Sequence, residues 1–387
     1  MLEKIIITGM GSISALGSNA EEVWENYCAQ TTRITSCCYN NCDTPVGKLH
    51  PKEDELIKEI RKENLHYRRL DKTVLLSILA ARQAVKKANW KAKDNMSVNL
   101  GSSRGATQLF EKYHEKFLAD RNIRQSPVVS PTTTLGNISS WVAYDLGTKG
   151  ASFSHSITCS TALHSILNGI AWLQAGMAEK FITGGAEAPL SDFTIAQMRA
   201  LRIYSEEKGS YPSKPLKQNK STNSLVLGEA AAVFCLEKES GKEKLATIQG
   251  IGFATELIEH NVSLSAEAEC LQDSMTKALK NANLTSVDSI IMHAPGTVKG
   301  DESEYKAIKT VFGKEIPHLI STKYTSGHTF GASGALSMEL AILMLQHNKL
   351  INFPYESLAV GMPKEVKNIM INATGFGGNA VSIILSK

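Results

Sequence analysis

Runs of apolar residues of two kinds alternate along the chain, and that alternation predicts an α/β protein. Lys4 to Thr8 is isoleucine-rich and reads as a buried strand, ended by Gly9-Met10-Gly11 as a tight turn. Residues 20 to 29, opening Ala20-Glu21-Glu22-Val23-Trp24, read as helix, and Pro51 to Asn64 reads as a charged, solvated one. From Asp71, apolar Val74, Leu75, Ile78, Leu79, Ala81 and Val85 give an amphipathic helix with a wide apolar face. Ser97 to Leu100 followed by Gly101-Ser102-Ser103 is a strand and a turn. A strand from Ala151 to Ile157 leads into a helix from Ser160 to Leu173, with apolar Leu163, Ile166, Leu167, Ile170 and Leu173. Glu229 to Glu237 is strand-like, and a charged hinge follows at 238–244.

Two echoes suggest duplication. Ile5 to Gly11 and Ala246 to Gly252 are both apolar strands ending in Gly-x-Gly. Ile157 to Ala162 and Tyr324 to Ala335 each place one reactive side chain, Cys159 or His328, before a helix rich in small residues. Repetition of this kind points to a duplicated α/β unit, with halves at 1–240 and 241–387.

The 387 residues suggest two or three structural units by length. With 42 basic and 38 acidic residues the net charge is +4, which gives no electrostatic case for nucleic acid or a membrane surface. At 42% hydrophobic and 21% charged, the chain reads as globular. No window reaches the ~18 uninterrupted apolar residues of a membrane span, and the start lacks a signal-peptide stretch. Seven scattered cysteines then read as reduced thiols in the cytoplasm. Cys37, Cys38 and Cys42, near Asp43, lack metal spacing and read as a solvent-facing loop, so no metal site is expected.

Cys159 is the strongest single candidate. A thiol at a helix N-terminus meets unpaired amides that favour the thiolate, the form a nucleophile needs. A small buried hydrophobe is the competing reading. His328 stands between glycines in Ser326 to Gly331, with Lys323 five residues upstream. Together they could steady a thiolate or a developing oxyanion, although His328 alone reads as a turn residue. Gly375-Phe376-Gly377-Gly378-Asn379 could expose backbone N–H groups to a reacting carbonyl; it lacks the order of a phosphate loop.

These residues together resemble the β-ketoacyl-acyl carrier protein synthases, the elongating Cys-His-His type. The likeness runs through Ile6 to Ser14, Arg68 to Asp71, Ser156 to Thr161, Phe181 to Glu187, Val226 to Glu229, Ser321 to His328 and Gly375 to Gly378. It implies a thiolase-like, duplicated five-layer αβαβα fold and a dimer with its active sites near the interface. It implies an acyltransferase of fatty acid, polyketide or aryl-polyene type biosynthesis, with the acyl group held as a thioester on Cys159. Substrate would come on the phosphopantetheine arm of acyl carrier protein, with no bound cofactor. By resemblance, His328 is the second triad histidine, Lys323 the site lysine and Phe376 the gate, its amide joining that of Cys159 in an oxyanion hole. Arg104, Thr297 and Gly377 fall at substrate-binding positions, and Glu229, Asp301 and Glu304 at structural ones.

The chain departs from the family pattern at several positions. Pro295 stands where the first triad histidine belongs, in His293-Ala294-Pro295-Gly296-Thr297. Losing a donor to a developing enolate would cost ~3 kcal/mol, which impairs decarboxylative condensation. His293, two residues earlier, is a possible surrogate. Ser337 falls where a carboxylate should partner the lysine, Lys299 where a threonine is expected and Lys217 where an aspartate is usual. Arg104 replaces a small apolar gate of the acyl pocket, and so either blocks a fatty chain or meets a polar one. An alternative from another class is a chain-length-factor-like, non-elongating partner of an active synthase. The dimer is accordingly homomeric or formed with a second ketosynthase-like subunit. A thiolase acting on coenzyme A fits the glycine-rich and lysine–histidine segments less well.

Overall fold

A computed structural model describes residues 3–135, 137–239, 241, 243–257, 264–358 and 365–387. The expected boundary at 240 and part of the charged hinge lie outside them. Among the described residues, ten strands join in one sheet that repeats itself. In the first half Ile5–Ser14 pairs antiparallel with Ala230–Lys238, and that strand antiparallel with Lys180–Glu187. Ser97–Gly101 and then the edge strand Ser152–Phe153 follow in parallel. In the second half Ala246–Thr255, Asn379–Ser386, Asn368–Gly375, Ser289–Ile291 and His318–Ile320 stand in the same order with the same directions. The series meet where Ile5, Ile6 and Ile7 lie against Ile248, Thr247 and Ala246.

Helices complete five layers. Lys72–Lys87 and Asn137–Leu146 cover one outer face. Thr161–Gln174 and Ser333–His347 lie together between the two halves. Glu269–Ala282, with Val298–Phe312 beside it, covers the other outer face. This is the expected thiolase-like αβαβα fold. Alternation along Ala230–Lys238 shows why the sheet needs cover on both sides: Ala230, Ala232, Phe234 and Leu236 enter the central core, and Ala231, Val233 and Cys235 the outer one. Ser333–His347 is buried all round from Ser333 to Leu345, as its predominantly apolar sequence requires.

The repeated Gly-x-Gly has a different meaning from the turn expected. Both strands run straight through it, to Ser14 and to Thr255. A Cβ at Gly9 or Gly11 would stand 2.1 or 2.3 Å from the carbonyl oxygens of Ala84 and Ala80. At Gly250 and Gly252 it would stand 2.4 and 1.9 Å from those of Ala278 and Ser274. Each pair therefore lets a helix backbone lie directly on the strand.

Other expectations change in detail. The strand foreseen from Ala151 is only Ser152–Phe153, because the chain then leaves the sheet edge, with the Ser154 hydroxyl donating to Ser139 Oγ at 2.8 Å. Pro51–Glu63 is not wholly solvated, since Ile57 and Ile60 are buried. Cys37, Cys38 and Cys42 lie on a hairpin, not a loop. Its strands Thr35–Tyr39 and Cys42–Gly47 turn through Asn40 and Asn41, whose φ values of 52° and 57° suit a two-residue turn. Cys38 and Cys42 face solvent, and all seven cysteines are free. No helix among the described residues is long and apolar enough to cross a membrane.

Gly252→Ala forces a methyl group into the Ser274 carbonyl and is expected to cost about 1–3 kcal/mol by overpacking. Chemical denaturation should show a lower midpoint with an unchanged slope.

Candidate functional site

Loops leaving the carboxyl ends of the parallel strands converge, which is where open α/β sheets place their sites. Cys159 stands between the edge strand Ser152–Phe153 and the helix Thr161–Gln174. Thr158 before it has φ 46°, a left-handed conformation that costs a β-branched residue energy and marks a sharp elbow. Above the elbow lies the turn Gly375 to Gly378, which joins the last two strands. A Cβ at Gly375 would fall 2.0 Å from Thr158 Oγ1 and 3.1 Å from the Cys159 amide nitrogen, so only glycine permits the contact. Thr158 Oγ1 donates to the Phe376 carbonyl at 3.3 Å. Gly377 has φ 98° and holds that turn. Cys159, Thr158, Phe376, Phe330 and Arg104 all line a cavity of about 610 Å³.

Burial, then the charge of Glu187, pushes the Cys159 thiol up to about 12, against the pull of Lys323. Desolvation of the sulfur thus opposes the thiolate that the helix terminus was expected to favour. Lys323 is itself buried, and desolvation lowers its proton affinity against the nearby charges of Glu304, Cys159 and Asp301. Its expected carboxylate partner is absent among the described residues. The Ser337 hydroxyl is sealed and unpaired. Glu339 lies two residues on, about 200° around the helix. There it accepts from Ser12 Oγ at 2.5 Å, with its other oxygen unpaired.

His328 is held at both backbone ends by the short strand Leu227–Gly228. Its amide donates to the Val226 carbonyl at 2.6 Å, and its carbonyl accepts from the Gly228 amide at 3.0 Å. Its ring Nδ1 lies 2.7 Å from Ser333 Oγ. The Thr329 amide donates to that hydroxyl at 3.1 Å, and Thr329 Oγ1 lies 3.3 Å from it; with the Ser333 proton given to Nδ1, the ring carries its N–H at Nε2. Burial and then Lys323 push the imidazole down to about 3, so it is a neutral donor rather than a base.

The first strand of the parallel pair in the second half, Ser289–Ile291, leads to His293. Its ring meets that of His328 edge to face, with centroids 5.3 Å apart. The loop is clamped by the acidic pair. Glu304 accepts the amides of His293 at 2.9 Å and Ala294 at 2.7 Å, and Asp301 accepts that of Gly296 at 2.9 Å. Pro295, between them, has no amide to give. Thr297 caps the helix Val298–Phe312, accepting from the Gly300 amide at 3.2 Å, and it does not line the cavity. Glu229 lies away from the cavity, buried between the Leu49 amide at 3.0 Å and Lys72 at 2.7 Å.

Arg104 sits on the cavity wall, donating to Gln197 Oε1 at 2.5 Å with its guanidinium 5.9 Å from the Phe330 ring centroid. Sequence reasoning assigned no role to what holds it there. Glu187 accepts from Ser102 Oγ at 2.7 Å and from the amides of Ser103, Arg104 and Gly331 at 2.7, 3.1 and 3.0 Å. One carboxylate thus fixes both walls around the thiol. The sequence signal was a lone acid ending the apolar run Phe181 to Ala186. Ser333 was missed for want of any pattern. Among the described residues, no group of three His, Cys, Asp or Glu side chains could hold a metal ion.

Known proteins show the family to which the chain belongs. A family described as "Beta-ketoacyl synthase, N-terminal domain" matches residues 2–241, and "Beta-ketoacyl synthase, C-terminal domain" matches 245–354. The "3-oxoacyl-[acyl-carrier-protein] synthase 2" of Staphylococcus aureus (strain COL) is 29% identical, covering 100% of this chain and 98% of its own. That of Coxiella burnetii is 27% identical, covering 99% and 98%. Among solved structures, the ishigamide ketosynthase/chain length factor has a TM-score of 0.87 at 19% identity, covering both chains fully. The ketosynthase ApeO in complex with its chain length factor ApeC, from Xenorhabdus doucetiae, has a TM-score of 0.82 at 23% identity over 99% and 98%.

Glu339 supplies a pH test of the packed middle layer. Burial pushes its carboxyl from 4.5 up to about 7, so the folded state holds a proton that the unfolded chain releases. This contribution is complete below pH 4.5 and is lost as pH rises through about 7, by up to about 3 kcal/mol. Glu339→Gln should remove that part of the slope when unfolding free energy is measured from pH 5 to 8.

Proposed function

The chain belongs to the beta-ketoacyl synthase family, and on that premise we propose that it is an acyltransferase carrying an acyl group as a thioester on Cys159. The donor is an acyl thioester on the phosphopantetheine arm of an acyl carrier protein, and no cofactor takes part. One observation carries this reading: the Cys159 elbow opens into the 610 Å³ cavity beneath Phe376, with Lys323 close enough to act on the thiol electrostatically. The thiol is protonated at rest. As it attacks the donor carbonyl, the new S–C bond forms and the carrier's C–S bond breaks. The Cys159 proton ends on the departing carrier thiolate, and the Lys323 ammonium nearby steadies the anionic sulfur as it forms. The amides of Cys159 and Phe376 serve the oxyanion, and the Gly375 contact supports their nearness.

Arg104 directs the choice of acyl group. A cation on the wall disfavours a plain alkyl chain, because burying its remaining N–H groups against hydrocarbon leaves them unpaired. A chain bearing oxygen acceptors pairs with them. This fits fatty acid related, polyketide or aryl-polyene type synthesis, with an oxygenated chain preferred.

A second reading is a non-elongating subunit that shapes the cavity of an active ketosynthase across a dimer. Pro295 favours it, and neighbours in fold include ketosynthase and chain length factor pairs.

Incubation with an acyl carrier protein thioester should add one acyl mass to the intact protein and none to Cys159→Ala. Absence of the adduct on the unmodified chain would favour the partner-subunit reading. Arg104→Leu should raise the rate of adduct formation from a straight alkyl thioester relative to an oxygenated one of equal length, on the order of tenfold.

A further inference from the structure

His293 is the least explained group in the site. Its ring is buried, and Nδ1 is sealed from solvent with no hydrogen-bond partner. Buried polar atoms are nearly always paired, so this nitrogen calls for an account. The neighbouring His318 shows what a structural histidine looks like here. Its Nδ1 lies 2.9 Å from Ser289 Oγ and its Nε2 3.1 Å from Asn352 Oδ1. His50 and His155 also carry a sealed nitrogen, but among the described residues neither sets its ring against another imidazole. His293 alone lies edge to face with His328, 5.3 Å between centroids and 82° between planes.

Its placement is not accidental to the packing. The Glu304 carboxylate accepts the amides of His293 and Ala294 and fixes the backbone from which the ring projects. Asn372 donates to the same Glu304 oxygen at 3.3 Å and steadies it in turn. Lys323 and His328 are the charged and titratable groups that act on the ring, and both oppose its protonation. Two neutral imidazoles thus stand side by side among groups that keep them neutral, each with one N–H to give.

We infer that His293 is a catalytic residue that works with His328 to hydrogen-bond the thioester carbonyl of an extender, in the place left without a side-chain donor by Pro295. The inference rests on the acyltransferase reading and deepens it to a complete condensation on a malonyl-type thioester. In that step the bond from the extender's α-carbon to its carboxylate breaks and carbon dioxide leaves. The electron pair enters the α-carbon–carbonyl bond, and the carbonyl oxygen becomes the enolate oxygen that both N–H groups hold. The enolate carbon then bonds to the acyl carbon on Cys159, and the sulfur departs as thiolate with the electrons of its S–C bond. No oxidant, reductant or external base is consumed.

The test uses the full chain with malonyl-loaded acyl carrier protein and reads carbon dioxide release beside the acyl mass on Cys159. The unmodified protein should release carbon dioxide. His293→Leu should slow release on the order of a hundredfold, as loss of one oxyanion donor does. His293→Gln, which keeps an N–H, should fall between the two. Acyl loading of Cys159 should stay within about twofold in both variants, which a general loss of structure would not allow. In the unmodified protein the ring nitrogen NMR signals of His293 should move when a non-hydrolysable malonyl-pantetheine amide is added, and this reading needs no folded variant. Unslowed release in His293→Leu, still signals with the amide, or loading without any release would each overturn the inference. Loading without release would leave the acyltransferase reading standing, whereas release without loading would do the reverse.

Discussion

Buried carboxylates that accept backbone amides are the constraint on which the site depends. Glu187 takes three amides and a hydroxyl, and by doing so it binds the turn after Ser97–Gly101 to the segment after His328. Glu304 and Asp301 do the same for the loop from His293 to Gly296. Asp301 also takes the Leu216 amide at 3.0 Å and the Lys220 ammonium at 2.9 Å. Loops that carry reactive groups normally carry mobility as well. Here a carboxylate with two oxygens and several lone pairs serves as a hub that several amides share, and removal of one would strand all of its donors in a buried place. Rigid loops are what a site needs if its donors are to meet a reacting oxygen within a fraction of an ångström.

Desolvation then sets the charge states. The same burial that raises the Cys159 thiol depresses His328, His293 and the Lys323 ammonium. Lys323, lowered only to about 8, keeps its charge at neutral pH beside the neutral imidazoles. Such a site favours charge that develops during reaction, because neutral N–H groups and an ammonium gain most when an oxyanion or thiolate appears beside them.

Much of this was legible in the sequence because it rests on reactive residue types in ordered segments. The thiol before an apolar helix and the glycine-rich turn meet in space, the histidine between glycines sits two residues from Phe330 on the cavity wall, and the duplication read from two echoes is the topology found. The Gly-x-Gly pairs were seen and misread: pattern alone cannot separate a glycine that turns the chain from one that admits a helix backbone against a strand. For Cys159 a sequence displays the helix start but not the burial that opposes the thiolate. Glu187 and Ser333 escaped because their roles are defined by their partners, 84 and 5 residues away in the chain. The hairpin at Thr35–Gly47 was hidden by Asn40 and Asn41, whose turn geometry outweighs the polar, cysteine-rich look of the segment.

Backbone accounting explains how the loop after Ser289–Ile291 carries Pro295 without collapse. Three of its four residues from His293 to Gly296 anchor through their amides, and the remaining one has no anchor to lose. A proline there forfeits only a side chain, and its ring rests against the first turn of the following helix, where a Cβ on Gly300 would come within 3.2 Å of Pro295 Cγ. The loop can therefore keep the path of a loop that bears a donor at 295. Its other side chains are constrained too. Residues 293 and 295 lie on one loop held by one helix, so a side chain at 293 is aimed by the same Glu304 clamp. Duplication supplies the rest: the helices Thr161–Gln174 and Ser333–His347 occupy matching places in the two halves and touch in the middle layer, where a Cβ at Gly334 would fall 2.8 Å from Leu163 Cγ. Cys159 and His328 precede these two helices, so the thiol and the imidazole come from equivalent points of the repeat.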